Sequence, residues 1–371
     1  MRTVVISDLH LGTPHRSDLL RRPELREPLL ELLRGSQRLV ILGDGLELRH
    51  TPQRDAAELA RGFFEDVGRA LGPAGEVMLL AGNHDHGLVS GWIDGRLHTE
   101  PSGFLELEHR LEPSAAGPLA LRLAELLAPA RVVLAYPGAW LRDDVYAFHG
   151  HYSDLHTTLP TFERLVVGAM ARWAVHLPDD NARPDDYEAA LAPIYAWMAS
   201  LTQRSERSVT SAAAGASTRG WLLLTGGRRR GRPLRTAALR GGYAGAVGVL
   251  NLAGLGPLSP ELSPRSLRRG GLHGVREVLR RLGVRAPYVI FGHTHRSGPW
   301  PGDDAAEWRT PAGSRLVNAG SWTYQPHFLP DAPNTSPYWP GTAVVLEDGR
   351  PPELRRLLGR RGHPELRGDP E

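Results

Sequence analysis

Short apolar runs, each followed by a cluster of polar residues, punctuate the first part of the chain. Val4–Ile6, Arg38–Leu42 and Glu76–Leu80 have the length and the valine- and leucine-rich content of buried strands. Between these runs, Leu19–Leu33 and Glu58–Leu71 have the apolar spacing of helices. The alternation of strand and helix predicts an α/β fold.

The strand pattern continues to about residue 150, stops, and returns near the carboxyl end. Arg131–Tyr136 and Val145–Phe148 are predicted strands, as are Tyr288–Phe291, Leu316–Val317 and Thr342–Leu346. In the long interval between Val145–Phe148 and Tyr288–Phe291 the sequence is helical, glycine-rich or basic, with no clear β pattern.

These patterns predict one sandwich-like α/β core with a large insertion. The core is formed by residues 1–150 and 286–352, and the mainly helical insertion by residues 151–285. Residues 353–371 are mainly charged, and we expect them to form a loosely held polar tail.

Residues with metal-binding side chains stand at the ends of the predicted strands, where α/β folds gather their functional groups. They are Asp8, His10, Asp44, Asn83, His84, His149, His293 and His295. Carboxylate, imidazole and amide groups together suit manganese, iron or zinc better than calcium. Asp8 and His10 are two residues apart, as are His293 and His295, and this spacing places each pair on one face of an extended chain. The sequence therefore predicts a metal site.

The order of these motifs resembles the signature of the calcineurin-like metallophosphoesterases. The matching segments are Asp8-x-His10, Gly43-Asp44, Gly82-Asn83-His84-Asp85, His149-Gly150 and Gly292-His293-Thr294-His295. The resemblance covers residues 1–150 and 286–347 and implies a four-layer α/β/β/α sandwich. It also implies that one metal ion is bound by Asp8, His10 and His295 and a second by Asn83, His149 and His293, with Asp44 bridging the two.

A metal pair of this kind implies hydrolysis of a phosphodiester or diphosphate bond by water activated between two divalent cations. Manganese is the favoured metal, with iron and zinc as alternatives. We assign His84 as general acid, or as donor to a phosphoryl oxygen, with Asp85 orienting it. Two positions stay open: Glu47 lies either behind the ligands or on a solvated loop, and His151 lies either behind His149 or at a strand exit.

Composition narrows the class of protein. Hydrophobic residues make up 41% and charged residues 23% of the chain, as in soluble globular proteins. There is no cysteine, which excludes disulfides and thiolate ligands, and no lysine, so every fixed side-chain cation is an arginine. Met1-Arg2-Thr3 runs directly into an apolar strand without the features of a signal peptide, so we expect a cytoplasmic protein.

The insertion contains a basic cluster followed by an uncharged stretch. Arg228, Arg229 and Arg230 are candidate substrate-binding residues, and Gly241–Leu258 contains no charged residue. This arrangement fits a lid that contacts anionic lipid at the inner membrane face, and it also fits a buried helical hairpin with a solvated loop. Phe162–His176 and Tyr187–Leu201 are predicted helices that pack within the insertion.

The short amino terminus and the helical insertion between His149 and His293 resemble one branch of the superfamily, the UDP-2,3-diacylglucosamine pyrophosphohydrolases. This resemblance implies a substrate that is lipid- or nucleotide-linked and carries a diphosphate. The chain differs from that branch at His84, where the branch has arginine, so the resemblance extends to the chemistry and leaves the substrate open.

Two other functions compete with this hypothesis. A metal-dependent nuclease would need aromatic residues between its cations for base stacking, and only Trp221 and Tyr243 lie near the arginine cluster. Nucleic acid is therefore the less favoured partner, behind a phosphorylated small molecule or lipid-linked substrate. A non-catalytic binding scaffold is less favoured still, because all the ligand positions and His84 are present.

Overall fold

The computed structural model describes residues 1–97, 103–158, 178–191, 194–195, 233–253, 256–261 and 263–368. The chain divides into two units. The first comprises Met1–His151 with Arg285–Glu371, and the second comprises Tyr152–Val284.

Ten strands are present in the described residues, all of them in the first unit. They are Arg2–Ile6 (β1), Arg38–Leu42 (β2), Glu76–Leu80 (β3), Glu108–Leu111 (β4), Arg131–Arg142 (β5), Val145–Phe148 (β6), Tyr288–Phe291 (β7), Arg315–Asn318 (β8), Thr342–Glu347 (β9) and Glu353–Arg356 (β10).

The α-helices of the first unit precede or follow these strands. They are Pro23–Leu33, Gln53–Leu71, Ser90–Leu97, Pro113–Ala116, Pro118–Leu126 and His363–Arg367. Short 3-10 helices are formed by Leu19–Arg21, His86–Leu88, His151–Leu155, Ala305–Trp308 and Pro326–Phe328.

Strands β1, β2 and β3 pair in parallel, so their carboxyl ends lie at one edge of the sheet. The full strand order is β10-β9-β1-β2-β3-β5-β6-β7-β8, and β4 pairs with β5. Strand β5 is twelve residues long. Its first half pairs with β3, while Gly138–Arg142 pairs with β6, so β5 passes from one sheet into the next.

Two cores surround the first sheet. Val4 and Ile6 of β1 pack with helical residues such as Phe63, whereas Val5 packs in a second core that also contains Val317 of β8. Alternate residues of one strand thus face a helix layer and a second sheet, as the two-residue period of a strand requires. The predicted α/β class with a sandwich core is confirmed.

Four predicted strands have the bounds seen in the structure: β2, β3, β6 and β7. The sequence did not predict β4 and β10, which are short, polar and lie off the central strands. Strand β5 extends beyond the predicted Arg131–Tyr136, because the chain stays extended through Pro137 and Gly138.

The expected loose tail after residue 352 is wrong. Strand β10 pairs with β9, and Leu358 and Leu366 are buried in the core. Arg356 also lies over the Trp300 ring, 4.3 Å from its centroid. The alternation of charged residues with single leucines concealed this ordered segment, because an edge strand buries little of its polar surface.

The described part of the second unit is helical, as predicted. Residues 184–191 and 194–195 are helical, and longer helices span Pro233–Leu252 and Pro264–Arg281. The Ser263 side chain caps the latter by accepting the Ser266 amide N–H. The predicted helix Phe162–His176 lies outside the described residues, as does the later part of Tyr187–Leu201.

Candidate metal centre

The strand ends of the first unit bring the predicted ligands together. Asp8 and Asp44 follow the parallel strands β1 and β2, and Asn83 follows β3. His149 follows β6, and the pair His293 and His295 follows the neighbouring strand β7.

One group of ligand atoms is formed by Asp8, His10 and His295. Asp8 Oδ1 is 3.3 Å from His295 Nε2, and the Nε2 atoms of His10 and His295 are 3.1 Å apart. Two ligands about 2.1 Å from one metal ion, at angles near 90–110°, are themselves about 3.0–3.4 Å apart. The spacing of this group therefore matches that of ligands around a common ion.

A second group is formed by Asp44, His149 and His293, with Asn83 beside them. His149 Nε2 lies 3.3 Å from Asp44 Oδ2 and 3.3 Å from Asn83 Oδ1. The His149 Nδ1 atom is 2.8 Å from the Leu42 carbonyl oxygen and donates to it, so Nε2 carries the lone pair whenever the ring is neutral. The ring of His149 thus presents a metal-binding nitrogen to Asp44.

Asp44 faces both groups. Its Oδ2 atom is 3.3 Å from His149 Nε2 and 3.7 Å from His10 Nε2, while its Oδ1 atom accepts the His84 amide N–H at 2.8 Å. One carboxylate oxygen therefore lies near both histidines, which the family resemblance assigns to different metal ions.

The donor set fits a pair of divalent cations. Asp8 Oδ1 is buried, and within the described residues it accepts no hydrogen bond. A buried carboxylate oxygen without a donor is costly unless a cation approaches it. Carboxylate and imidazole ligands arranged in this way are those of manganese, iron and zinc sites.

The charges of the centre agree with this interpretation. Burial disfavours protonated imidazole, but the carboxylates of Glu47 and Asp44 raise the pKa of His10 to about 9. Asp44 and Asp8 likewise overcome burial and raise the pKa of His149 to about 10. In the other direction, His295 and His149 outweigh the effect of burial and lower the pKa of Asp8 to about 2. The buried carboxylates thus favour a positive charge at the imidazole nitrogens, either a proton or a metal ion.

Five of the ligand residues have a left-handed backbone conformation, which is uncommon for residues other than glycine. Their φ angles are 56° for Asp8, 46° for His10, 51° for Asp44, 66° for His293 and 56° for His295. Such conformations cost roughly 1–3 kcal/mol each and cluster at functional sites, where surrounding structure enforces them.

Glycine is required where the motifs approach the ligands closely. A Cβ atom on Gly43, whose φ is +80°, would lie 2.3 Å from His149 Nδ1. A Cβ atom on Gly82 would lie 2.3 Å from Asp44 Oδ1. Both contacts are impossible, so these glycines set the distance between neighbouring ligand loops.

Glu47, not Asp85, contacts the side chain of His84. The His84 Nδ1 atom is 2.9 Å from Glu47 Oε2, whereas Asp85 accepts backbone N–H groups of Gly45 and Gly82 at 2.7 Å each. The predicted orienting role of Asp85 is therefore wrong: Asp85 ties the β2 and β3 loops together. The backbone N–H groups of Gly45 and Gly82 point at the Asp85 carboxylate and satisfy both of its oxygens.

Glu47 is buried and accepts several hydrogen bonds, so it lies behind the ligands and not on a solvated loop. It lies 3.2 Å from His10 Nδ1, 3.0 Å from His50 Nδ1 and 3.0 Å from the Arg49 amide nitrogen. Burial opposes ionisation, but His84 and the other histidines lower the pKa of Glu47 well below its usual range. As an ionised acceptor, Glu47 places the Nδ1 protons of these histidines toward itself.

Burial lowers the pKa of His84 to about 4, against the opposing effect of Glu47 and with the support of the Arg49 charge. His84 is therefore a neutral imidazole in the free protein at neutral pH. Its side chain is 20% exposed and its ring centroid is 4.5 Å from that of His10.

His151 is buried behind the second group. Its ring centroid lies 5.5 Å from that of His149, and burial lowers the pKa of His151 well below its usual range. This location agrees with the first of its two predicted positions.

The candidate residues of the insertion are outside this geometry. Arg228, Arg229 and Arg230 lie outside the described residues, so their role in substrate binding stays a prediction. Among the helices that the structure describes, none has the length and apolar character needed to cross a bilayer.

Comparisons with known proteins address the family. Residues 1–208 match the family model of the calcineurin-like phosphoesterases. Among solved structures, the crystal structure of a dimetal phosphatase from Danio rerio is similar with a TM-score of 0.31 and 12% identity, covering 96% of this chain and 95% of that one. No curated protein matches the chain. Since the family model spans more than half of the sequence, the chain belongs to the calcineurin-like phosphoesterase family and is a metal-dependent hydrolase of phosphate esters.

Proposed function

We propose that the protein hydrolyses a phosphodiester or diphosphate bond in a lipid- or nucleotide-linked substrate, using two divalent cations. The observation that carries this proposal is the position of Asp44 Oδ2, 3.7 Å from His10 Nε2 and 3.3 Å from His149 Nε2. A carboxylate oxygen between two groups of ligand atoms is what a dinuclear centre requires.

The residues of the centre form two sets of metal ligands that share one carboxylate. Asp8, His10 and His295 would hold one ion, Asn83, His149 and His293 the other, and Asp44 both. When bound, such ions lower the pKa of water and neutralise charge on the phosphoryl oxygens. The Nδ1 bonds of His10 to Glu47 and of His149 to the Leu42 carbonyl keep both Nε2 atoms available as ligands.

His84 is the proposed proton donor. In hydrolysis, the oxygen of water bonds to phosphorus, the bond from phosphorus to the leaving oxygen breaks, and that oxygen takes up a proton. Glu47 accepts a hydrogen bond from the Nδ1–H group of His84, so Nε2 is the nitrogen that faces away from Glu47. An anionic phosphate near Nε2 favours a proton there, so substrate itself would convert the neutral His84 into an acid.

The donor set leads us to propose manganese as the native metal, with iron and zinc as alternatives. Mixed carboxylate, imidazole and amide ligation does not favour calcium, which takes oxygen ligands.

The helix Pro233–Leu252 has exposed apolar side chains, which favour an apolar partner. Gly241–Leu258 carries no charge, and Val249 and Leu252 are 65% and 91% exposed. These exposures argue against the buried-hairpin interpretation of the described helix. We propose that this helix contacts acyl chains or the surface of an anionic membrane, with the protein at the cytoplasmic face.

The test is a parallel assay of purified, manganese-loaded protein against a phosphomonoester, a phosphodiester and a diphosphate. Turnover that requires metal and favours the diester or the diphosphate is the expected result. Activity confined to the phosphomonoester would contradict the proposed substrate class, and activity that survives removal of metal would contradict the two-metal centre.

A further inference from the structure

His50 is a second imidazole on the carboxylate that holds His84. Its Nδ1 atom is 3.0 Å from Glu47 Oε1, and the same oxygen is 3.1 Å from His84 Nδ1. Within the described residues, Glu47 is the hydrogen-bond partner of the His50 ring. His84 Nδ1 is nearer still to Glu47 Oε2, at 2.9 Å. One buried carboxylate therefore fixes the orientation of two imidazoles.

The two rings extend from Glu47 in different planes. Each ring turns its Nδ1 atom toward the Glu47 carboxylate and its Nε2 atom away from it, and the ring planes are tilted by 44°. The ring centroids of His50 and His84 are 6.3 Å apart. Ring centres this far apart suit hydrogen bonds from the two rings to two different substrate oxygens. The geometry suits two neighbouring groups of a substrate.

His50 is also accessible, and its surroundings favour an anion. Its side chain is 24% exposed, close to the 20% of His84, while Glu47 beneath it is only 4% exposed. Arg49 precedes it, and the Arg49 Nε atom donates to the Asn83 carbonyl oxygen at 3.1 Å. This bond fixes the loop that carries His50 next to a proposed metal ligand. The loop adds fixed positive charge at that place.

From this arrangement we infer that His50 binds a second phosphoryl group of the substrate, adjacent to the phosphoryl group at which His84 acts. The inference rests on the proposed function and narrows its substrate class to compounds with two neighbouring phosphoryl groups. The Nδ1 bond to Glu47 turns His50 Nε2 away from the carboxylate, as it does for His84, and an anionic phosphoryl oxygen near Nε2 favours a proton there.

Two substitutions separate substrate contact from support of Glu47. His50→Asn keeps an amide N–H near the position of Nδ1 and removes the outward nitrogen. His50→Gln places an amide near the position of Nε2. His15→Asn changes an exposed histidine on another loop and is the matched control.

The first measurement is kcat/KM for a diphosphate and for nitrophenyl phosphate, which has one phosphoryl group. A hydrogen bond to a charged group contributes about 1.5–3 kcal/mol, or roughly 10- to 150-fold. We expect His50→Asn to lose this factor on the diphosphate and at least tenfold less on nitrophenyl phosphate, with partial recovery in His50→Gln. An equal loss on both substrates, or no loss on the diphosphate, overturns the inference.

The second measurement does not depend on turnover. Calorimetric titration of metal-loaded protein with imidodiphosphate and with inorganic phosphate should show that His50→Asn weakens the former and spares the latter. If wild-type protein hydrolyses no diphosphate but shows this binding difference, the proposed function fails while the His50 site stands. Unchanged imidodiphosphate binding overturns the site, as does a third bound metal ion per chain that is lost in His50→Asn.

Discussion

Asp44 serves two groups of ligands with one side chain. Its Oδ2 atom faces His10 and His149, and its Oδ1 atom accepts the His84 amide N–H. Asparagine at this position would keep the size of the side chain and lose the charge that both cations share. Loss of this charge should weaken the binding of both metal ions.

We predict that Asp44→Asn abolishes turnover and lowers the occupancy of both metal ions. Elemental analysis after gel filtration measures the occupancy, and Asp94→Asn, which removes an exposed carboxylate, is the control. Two full equivalents of metal in Asp44→Asn would show that Asp44 does not bridge.

The protons on His10 and His149 give metal binding a defined pH dependence. Both pKa values are raised, to about 9 and about 10, so both imidazoles are protonated in the metal-free protein at pH 7. Metal ions must displace these protons, since only neutral imidazole binds metal. The affinity should therefore increase as the pH rises from 7 to about 9, and fall as it is lowered.

Calorimetry in two buffers of different ionisation enthalpy measures this release. About two protons should leave the protein at pH 7 when both ions bind. Metal affinity that does not change between pH 7 and pH 9 would contradict the proton assignment.

At this scale the ligands could be predicted, but their supporting contacts could not. Asp8-x-His10 and His293-x-His295 follow apolar runs, so sequence spacing alone placed them at strand ends. The bonds of Glu47 to His10, His50 and His84 depend on the path of the loop after β2. Asp85 follows His84 in sequence, yet the loop turns its carboxylate toward backbone amides.

At the scale of elements, buried strands were easier to predict than edge strands. β2 and β7 are apolar runs that end at polar turns, and both have the predicted bounds. β4 and β10 have the sequences Glu-His-Arg-Leu and Glu-Leu-Arg-Arg, which lack a clear apolar pattern. Their strand conformation comes from pairing with β5 and β9, which is a tertiary effect.

On the helix Pro233–Leu252, Val249 and Leu252 are 65% and 91% exposed, against 47% for Leu59 and 44% for Leu121 on helices of the first unit. We predict that the double variant Val249→Glu, Leu252→Glu binds anionic vesicles at least tenfold more weakly than wild type, because it adds charge and removes apolar surface. Hydrolysis of a small soluble ester should persist in the variant.

Leu59→Glu with Leu121→Glu is the matched control, since these leucines are exposed on helices of the first unit. Vesicle sedimentation measures the binding. The proposed membrane contact would be wrong if the wild-type protein does not bind anionic vesicles. It would also be wrong if the control pair loses as much vesicle binding as the double variant.

At the scale of the whole molecule, the chain returns to its first unit after the insertion. β7 and β8 complete the second sheet and deliver His293 and His295, whereas β9 pairs antiparallel with β1 in the first sheet. Ligands from residues 8 to 295 therefore depend on sheet pairing between distant parts of the chain. Loss of the closing segments should weaken the fold and the metal centre together.

Leu358 tests this dependence in the segment that the sequence assigned to a loose tail. Its side chain is fully buried and packs against Gly341, where a Cβ atom would approach Leu358 Cγ to 2.4 Å. The Trp339 indole N–H also donates to the Leu358 carbonyl oxygen at 3.2 Å. The segment is thus part of the core next to β9.

We predict that Leu358→Ala lowers the free energy of unfolding by about 2–5 kcal/mol, as expected when a buried leucine is truncated. Urea denaturation measures the change, and Arg360→Ala, at an exposed position two residues later, should stay within about 0.5 kcal/mol of wild type. If Leu358→Ala is as stable as Arg360→Ala, the segment contributes nothing to the core and the description of a loose tail would be correct after all. A loss confined to Leu358→Ala would instead show that the fold around the metal centre is closed by residues beyond β9.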